Sequence, residues 1–143
     1  MATTTPSPRT AVQRKHQALL LGLFAFWVVV GVMMYFGVAP IVRDFSIPQG
    51  VAAGICAVPL ALALLWGRSR VPRRNITTST DDYWRDARVS AGAALVFFLT
   101  EGSAWLAAVW TLLTGDWLCV IVSALAIGAL AYHGPAYYER QTE

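Results

Sequence analysis

Apolar residues form four long runs along the chain, and charged or turn-forming residues separate the runs. The runs occupy residues 17–39, 48–67, 91–113 and 117–132. A helix rises about 1.5 Å per residue, so about 20 apolar residues are enough to cross the hydrocarbon core of a bilayer. The pattern therefore predicts an all-α membrane protein with four transmembrane helices, of which the fourth is the shortest.

Turn signals between the runs predict how the spans are joined. Pro40 ends the first run, and residues 114–116 (Thr-Gly-Asp) are typical of a tight turn between the third and fourth. We expect two antiparallel hairpins, one from spans one and two and one from spans three and four. Ser79 and Asp82 resemble a capping box. The third helix is therefore expected to start near Thr80 in water and to continue unbroken into the membrane.

The tails and connections divide the chain into five predicted segments. The N-terminal tail is polar and basic, and we expect it to be disordered up to about Val12. The connection between the hairpins is rich in arginine and leads into the third helix. The segments are a basic tail at 1–16, hairpin one at 17–67, a cytoplasmic loop and helix start at 68–90, hairpin two at 91–133 and a cytoplasmic tail at 134–143.

The composition agrees with a membrane protein and leaves no room for a separate water-soluble domain. Hydrophobic residues make up 57% of the chain and charged residues 13%, whereas a soluble domain carries about 25% charge. The sequence contains no arrangement of catalytic side chains and no phosphate-binding loop. We therefore expect neither an enzyme nor a nucleic-acid-binding protein, and we expect no cofactor.

Basic residues lie almost entirely on one side of the predicted membrane. Of the 11 Lys and Arg residues, only Arg43 falls on the opposite side, where Asp44 accompanies it. Because Lys and Arg stay in cytoplasmic loops, we expect both termini in the cytoplasm and the protein in a bacterial inner membrane. The arginines of the long connection either anchor this topology or bind anionic lipid headgroups. They are Arg68, Arg70, Arg73, Arg74, Arg85 and Arg88.

Glu101 is an acidic residue close to the middle of the third predicted span. A charged acid at the bilayer centre costs about 3 kcal/mol, so the side chain should point away from lipid. No span contains Lys or Arg, and we therefore expect Glu101 to be protonated and to donate a hydrogen bond. Pro59 lies at a similar depth in the second span and frees the carbonyl of Ile55, the predicted acceptor. Trp105 shares the helical face of Glu101. Thr100, Ser103, Thr111 and Ser123 are the other candidate partners.

The stretch around Glu101 also resembles a known kind of membrane helix. The sequence GAALVFFLTEGSAWLAAVWTLLTGDW is similar to the outer helix of rotary ATPase proteolipid (c) subunits, which carries a mid-membrane acid. It is similar as well to small four-span bacterial membrane proteins of unknown function. The first resemblance implies that Glu101 matches the proton-carrying acid. The chain departs from proteolipids in its long Arg-rich connection and in the bulky side chains of Trp27 and Trp105.

The two histidines lie at the cytoplasmic ends of predicted spans. His16 precedes the first span and His133 follows the fourth. In the predicted arrangement they either face each other and ligate a haem or act as solvated anchors at the membrane surface.

Two functions are compatible with these features. The first is a non-catalytic subunit or scaffold that packs against itself or against other membrane subunits, with Glu101 as the buried polar contact. The alternative is a proton- or cation-coupled transporter that uses Glu101. The spans carry scattered hydroxyl groups rather than one continuous polar face, which favours the subunit.

Overall fold

The structure is a computed structural model that describes residues 7–41, 47, 48 and 50–140. Within these residues the chain is helical and contains no β-strand. The helix α2 (Val51–Leu62) continues through a π-helical turn, Ala63–Gly67, and a 3-10 turn, Arg68–Arg70. Arg43 and Asp44, expected on the far side of the membrane, lie outside the described residues. The helices are α1 (Pro8–Tyr35), α2 (Val51–Leu62), α3 (Thr80–Arg85), α4 (Ala87–Thr114), α5 (Trp117–Tyr132) and α6 (Pro135–Tyr138).

Three of the helical segments are long and apolar enough to cross a membrane. They are α1, the continuous segment Val51–Arg70 and α4. The helix α5 is also apolar but has only 16 residues. The prediction of an all-helical membrane protein is confirmed to this extent, because the described chain supplies three spans and a shorter fourth candidate.

The helix α4 lies at the centre of the bundle. It packs most extensively against α5 and α2, and it also contacts α1. In the most apolar 18-residue stretch of α4, 50% of the residues are buried. In the corresponding stretch of α1, only 11% are buried. The helices α1 and α2 do not pack extensively against each other, so packing does not support the first predicted hairpin. Small buried residues give α4 its central place, namely Gly92, Ala93, Ser103, Ala104, Ala107 and Ala108.

Two glycines mark the closest approach between α4 and the end of the second span. A Cβ atom added to Gly92 would lie 2.9 Å from the carbonyl oxygen of Arg70, and one added to Gly67 would lie 3.1 Å from Val96 Cγ2. At Gly54, by contrast, an added Cβ would meet no atom within 4 Å. The tight contact is therefore at the Arg-rich end of the second span rather than near its start.

Local hydrogen bonds shift two predicted helix boundaries. The helix α1 already begins at Pro8, because Ser7 caps it and Pro8 suits the first helical position. Residues 8–16 are thus helical, so the prediction of disorder is wrong for residues 8–12. Residues 1–6 of the predicted tail lie outside the described residues. The helix α3 begins at Thr80 as predicted, but it ends at Arg85. Asp86 adopts an extended backbone and caps α4 by accepting a bond from Arg88 N. The third helix is consequently broken rather than continuous.

Candidate functional site

The carboxyl group of Glu101 is half-buried and has a partner on its own helix. The indole Nε1 of Trp105 donates a hydrogen bond to Glu101 Oε1 at 3.2 Å. Trp105 also packs against Phe26 of α1, with ring centroids 4.5 Å apart. The structure therefore places Glu101 on the side of α4 that faces α1, where its carboxyl accepts a hydrogen bond.

The predicted bond between Glu101 and the Ile55 carbonyl is not formed. Instead, the hydroxyl of Ser103 donates to the carbonyl of the next residue, Cys56, at 2.6 Å. The Ile55 side chain is exposed. The prediction is wrong because α4 turns Ser103, two residues beyond Glu101, towards α2.

The other hydroxyl groups of the central spans are used in the same way. Thr100 donates to the Val96 carbonyl at 2.7 Å, and Ser123 donates to the Ala104 carbonyl at 3.1 Å. Trp27 Nε1 in turn donates to Ser123 Oγ at 2.7 Å. The two bonds of Ser123 tie α5 to α4 and to α1. Among the described residues, none of them reaches Glu101.

An apolar groove lies on the surface of α4 beside Glu101. Its volume is about 380 Å³. Gly102 lies in the groove, and an added Cβ there would meet no atom within 4 Å. The side chains of Phe98 and Leu106, one turn before and one turn after Gly102, are 72% and 50% exposed. The lining consists of Pro59 from α2 and Phe98, Leu99, Gly102, Trp105, Leu106 and Val109 from α4.

The groove is a consequence of the helix packing. Trp105 on one side of α4 contacts Phe26 of α1, and Ser103 on another side contacts α2. Because α1 and α2 do not pack extensively against each other, the strip of α4 between these two contacts stays uncovered. Pro59, which was predicted to release the Ile55 carbonyl to Glu101, lines the groove from α2.

At the Arg-rich end of the bundle, charged and aromatic side chains connect the two ends of the described chain. The guanidinium group of Arg9 forms two hydrogen bonds with the carboxylate of Glu139, at 2.8 and 2.9 Å. Trp84 Nε1 donates to the same carboxylate at 2.9 Å. Burial raises the pKa of Glu139, but the bonds from Arg9 and Trp84 outweigh it and hold the pKa below its ordinary value. We call this group, Arg9, Trp84 and Glu139, the terminal clasp.

Next to the terminal clasp lies another pocket, with a volume of about 630 Å³. Burial raises the pKa of Tyr83 to about 12, and its hydroxyl donates to the Pro72 carbonyl at 2.8 Å. Tyr138 is only 6% exposed, and its hydroxyl has no hydrogen-bond partner within the described residues. The pocket, which we call the arginine pocket, is lined by Leu64, Leu65, Arg68, Ser69, Val71, Pro72, Arg73, Tyr83, Tyr137, Tyr138 and Arg140.

The structure separates the six arginines that were predicted to bind lipid headgroups. Arg68 and Arg73 line the arginine pocket. Arg70 stacks on the Trp66 ring at 4.6 Å, while Arg74 donates to the Thr78 carbonyl and holds the loop. The last two lie apart from the pocket lining, Arg85 being paired with Asp82 and Arg88 being exposed.

Both histidines are buried at this end of the bundle. His16 Nε2 lies 2.7 Å from the Leu130 carbonyl oxygen, and His133 Nδ1 lies 2.9 Å from that of Ala129. His16 thereby caps the end of α5 from α1. Burial lowers the pKa of His133, whose Nε2 has no partner in the described chain. The histidines are buried caps rather than solvated anchors, and the described residues contain no cluster of three or more potential metal ligands.

Sequence reasoning missed Glu139, Tyr138 and Arg140. All three lie in the segment 134–143 that was predicted to be a cytoplasmic tail, and the short helix α6 (Pro135–Tyr138) brings them to the bundle. Pro135 after a glycine is a signal for a new helix start, because proline suits the first helical turn. The partners of Glu139 are far away in sequence, so spacing could not reveal them.

Comparisons with protein-family models, with curated proteins and with solved structures find no match to this chain.

Proposed function

We propose that this protein is a non-catalytic membrane subunit whose α4 groove packs against a second copy of the chain. The observation that carries the proposal is the pattern on the open face of α4. Gly102 forms a hollow, and the exposed side chains of Phe98 and Leu106 project one turn to either side. A hollow between two projections is self-complementary, which is what a two-fold contact requires. Small residues at such a contact let two membrane helices approach closely.

In this proposal Glu101 supplies the polar contact at the edge of the groove that is nearest to α1. Among the described residues, its carboxyl has one hydrogen-bond partner, Trp105, and that residue lines the groove. In lipid, a further hydrogen-bond partner stabilises a half-buried carboxyl. A second copy of the same helix presents such a partner at the same depth. The hydroxyl groups of the described spans donate to backbone carbonyls instead of forming a path to Glu101, which favours a contact over a transport pathway.

The proposed orientation follows from the charges. The terminal clasp joins the N-terminal helix to the C-terminal segment at the Arg-rich end. By the rule that basic residues stay inside, we place this end and both termini on the cytoplasmic side of a cell inner membrane. A membrane-impermeant reagent tests this placement. It should reach sites at the Arg-rich end in inverted vesicles and should not reach them in intact cells.

Cysteine cross-linking in membranes tests the docking surface. The experiment uses a chain whose two buried cysteines, Cys56 and Cys119, are replaced by alanine. A cysteine introduced by Phe98→Cys should cross-link two copies, whereas Leu125→Cys, on the exposed side of α5, should not. Equal yields at the two positions would overturn the proposal.

Two glycine variants then test the hollow. Gly102→Leu should abolish the cross-link, because the larger side chain fills the groove. Gly128→Leu is the matched control, since Gly128 is another helical glycine with no atom within 4 Å of an added Cβ. The control should cross-link like the parent chain. Retention of the cross-link in Gly102→Leu would show that the copies meet elsewhere.

The transporter alternative has its own test, based on Glu101→Gln. Glutamine keeps the shape and hydrogen-bonding capacity of glutamate but cannot release a proton. We expect no proton flux from the wild-type protein in vesicles that carry a pH gradient, and unchanged assembly of the variant. A wild-type flux that Glu101→Gln abolishes, with assembly intact, would establish the transporter instead.

A further inference from the structure

Three arginines line the arginine pocket, and none of them has an acidic partner among the described residues. Arg68, Arg73 and Arg140 line it, and no carboxylate is part of the lining. The ion pairs of the described chain involve other residues, Arg9 with Glu139 and Arg85 with Asp82. Arg68 stacks on the Tyr137 ring at 5.4 Å, which positions it without neutralising its charge. Several like charges around one cavity create a positive potential that attracts anions.

The buried hydroxyl of Tyr138 is a second, independent observation. Buried polar groups are nearly always hydrogen-bonded, and one without a partner is an exception that needs a reason. Tyr138 lines the arginine pocket, is 94% buried (6% exposed), and its hydroxyl has no partner in the described chain. An oxygen atom of an anion bound in the arginine pocket would supply the missing acceptor once the side chains that cover the hydroxyl adjust.

The remaining lining indicates that the anion carries an apolar group. Leu64 and Leu65 belong to the π-helical turn at the end of the second span, and Leu65 is 82% exposed. They place an apolar surface on the membrane side of the arginines. Arginine matches the geometry of a phosphate oxygen pair, and basic pockets beside transmembrane helices suit lipid headgroups.

We propose that the arginine pocket binds the phosphate group of an anionic phospholipid through Arg68, Arg73, Arg140 and the Tyr138 hydroxyl. The acyl chains of the lipid lie along Leu64 and Leu65. This site is separate from the α4 groove, which is lined by a different set of residues. The binding does not depend on whether the protein forms a dimer.

The test measures lipid retention by the full-length protein. The protein in nonionic detergent is mixed with phosphatidylglycerol or with phosphatidylcholine, and bound lipid is counted by native mass spectrometry. We expect phosphatidylglycerol to bind selectively. Arg73→Gln and Arg140→Gln should each weaken binding about fivefold, and Tyr138→Phe should weaken it by a similar factor. Because Tyr138→Phe removes a hydroxyl without a partner, it should not lower the thermal stability of the lipid-free protein.

A matched control and a competitor separate the possible sources of the signal. Arg88→Gln removes the same charge from an exposed arginine outside the pocket, so it should leave binding unchanged. An equal loss in Arg88→Gln would indicate general charge attraction and overturn the site. Equal retention of the two lipids would overturn it as well. Excess inorganic phosphate should not displace the lipid, and full displacement would show that the pocket takes free phosphate instead.

Discussion

The Arg-rich end and the middle of the bundle hold their polar groups in different ways. At the Arg-rich end, the terminal clasp joins residues 130 positions apart, and His16 reaches α5 across 114 positions. In the middle, hydroxyl groups donate to backbone carbonyls, and Glu101 is bonded to Trp105, four residues away. Charges are tolerated where water and headgroups are near, whereas the hydrocarbon core favours neutral donors paired with carbonyls.

The comparison also separates two kinds of packing. In the middle, an uncovered strip of α4 leaves the groove, so the bundle is complete only on the sides that meet α1, α2 and α5. At the Arg-rich end, aromatic rings fill the space between segments, and the centroid of the Tyr138 ring lies 6.5 Å from that of Trp84 and 6.3 Å from that of Phe97. We therefore expect the Arg-rich end to tolerate added volume less well than the open strip does.

The largest effect is expected from Gly92→Val. The new Cβ would overlap the Arg70 carbonyl, a backbone atom that moves only if the second span shifts. Overpacking of this kind costs about 1–3 kcal/mol, and we expect the upper end of that range. The free energy of unfolding is measured by SDS titration in mixed micelles. Gly128→Val, at an open helical position, should change it by less than about 0.5 kcal/mol. Equal losses would indicate a general effect of valine rather than a close approach.

The second effect concerns the terminal clasp. Glu139→Ala removes the acceptor of Arg9 and of Trp84, and we expect a loss of about 2 kcal/mol. A hydrogen bond to a charged group contributes about 1.5–3 kcal/mol, and the half-exposed Arg9 reduces that gain. Arg85→Gln breaks an ion pair whose side chains are 68% and 60% exposed and should cost less than about 0.5 kcal/mol. If the free energy of unfolding falls equally in the two variants, the terminal clasp is an ordinary surface ion pair.

A smaller effect should appear as a dependence of stability on pH. Burial lowers the pKa of His133 from 6.5, and Arg68 lowers it further. The unfolded chain therefore binds the proton at a higher pH than the folded chain, so stability falls as the pH drops below about 6.5. The pKa of Glu139 is lowered from 4.5, which adds a second loss below about pH 4.5. His133→Gln should remove the first loss and keep the second in thermal unfolding between pH 8 and 4. A variant that still weakens between pH 6.5 and 5 would contradict this assignment.

The sequence was sufficient to predict the helical class, because hydrophobic length alone decides whether a segment can span a bilayer. It also located the start of α3 from the Ser79 cap. It did not predict the break at Asp86, since the side chain of an aspartate competes with the helix only in a particular backbone conformation. It likewise could not locate the tight contact between spans, because Gly54 and Gly92 look alike in sequence and differ only in what packs against them.

The candidate sites were predictable to different degrees. Glu101 and its relation to Trp105 follow from helical spacing, which fixes residues four apart on one face. The partner across the interface did not follow, because the sequence does not set which side of α4 faces α2, and Ser103 lies nearly opposite Glu101 around the helix. The arginine pocket was predictable only as a basic segment. The sequence does not show that Arg68, Arg73 and Arg140 line it together, because this depends on how α6 packs against the bundle.

The smallest effect is expected from Ser103→Ala. The variant removes the hydroxyl that donates to the Cys56 carbonyl at 2.6 Å and leaves a cavity no larger than one oxygen atom. Hydrogen bonds between membrane helices contribute about 0.6 kcal/mol on average, because the separated helices also find partners. We expect a loss of that size in SDS titration. Ser90→Ala, which removes an exposed hydroxyl bonded within α4, should cost less. A loss at Ser103 as large as the one in Glu139→Ala would break the comparison, because the neutral bonds of the middle would then match the charged clasp.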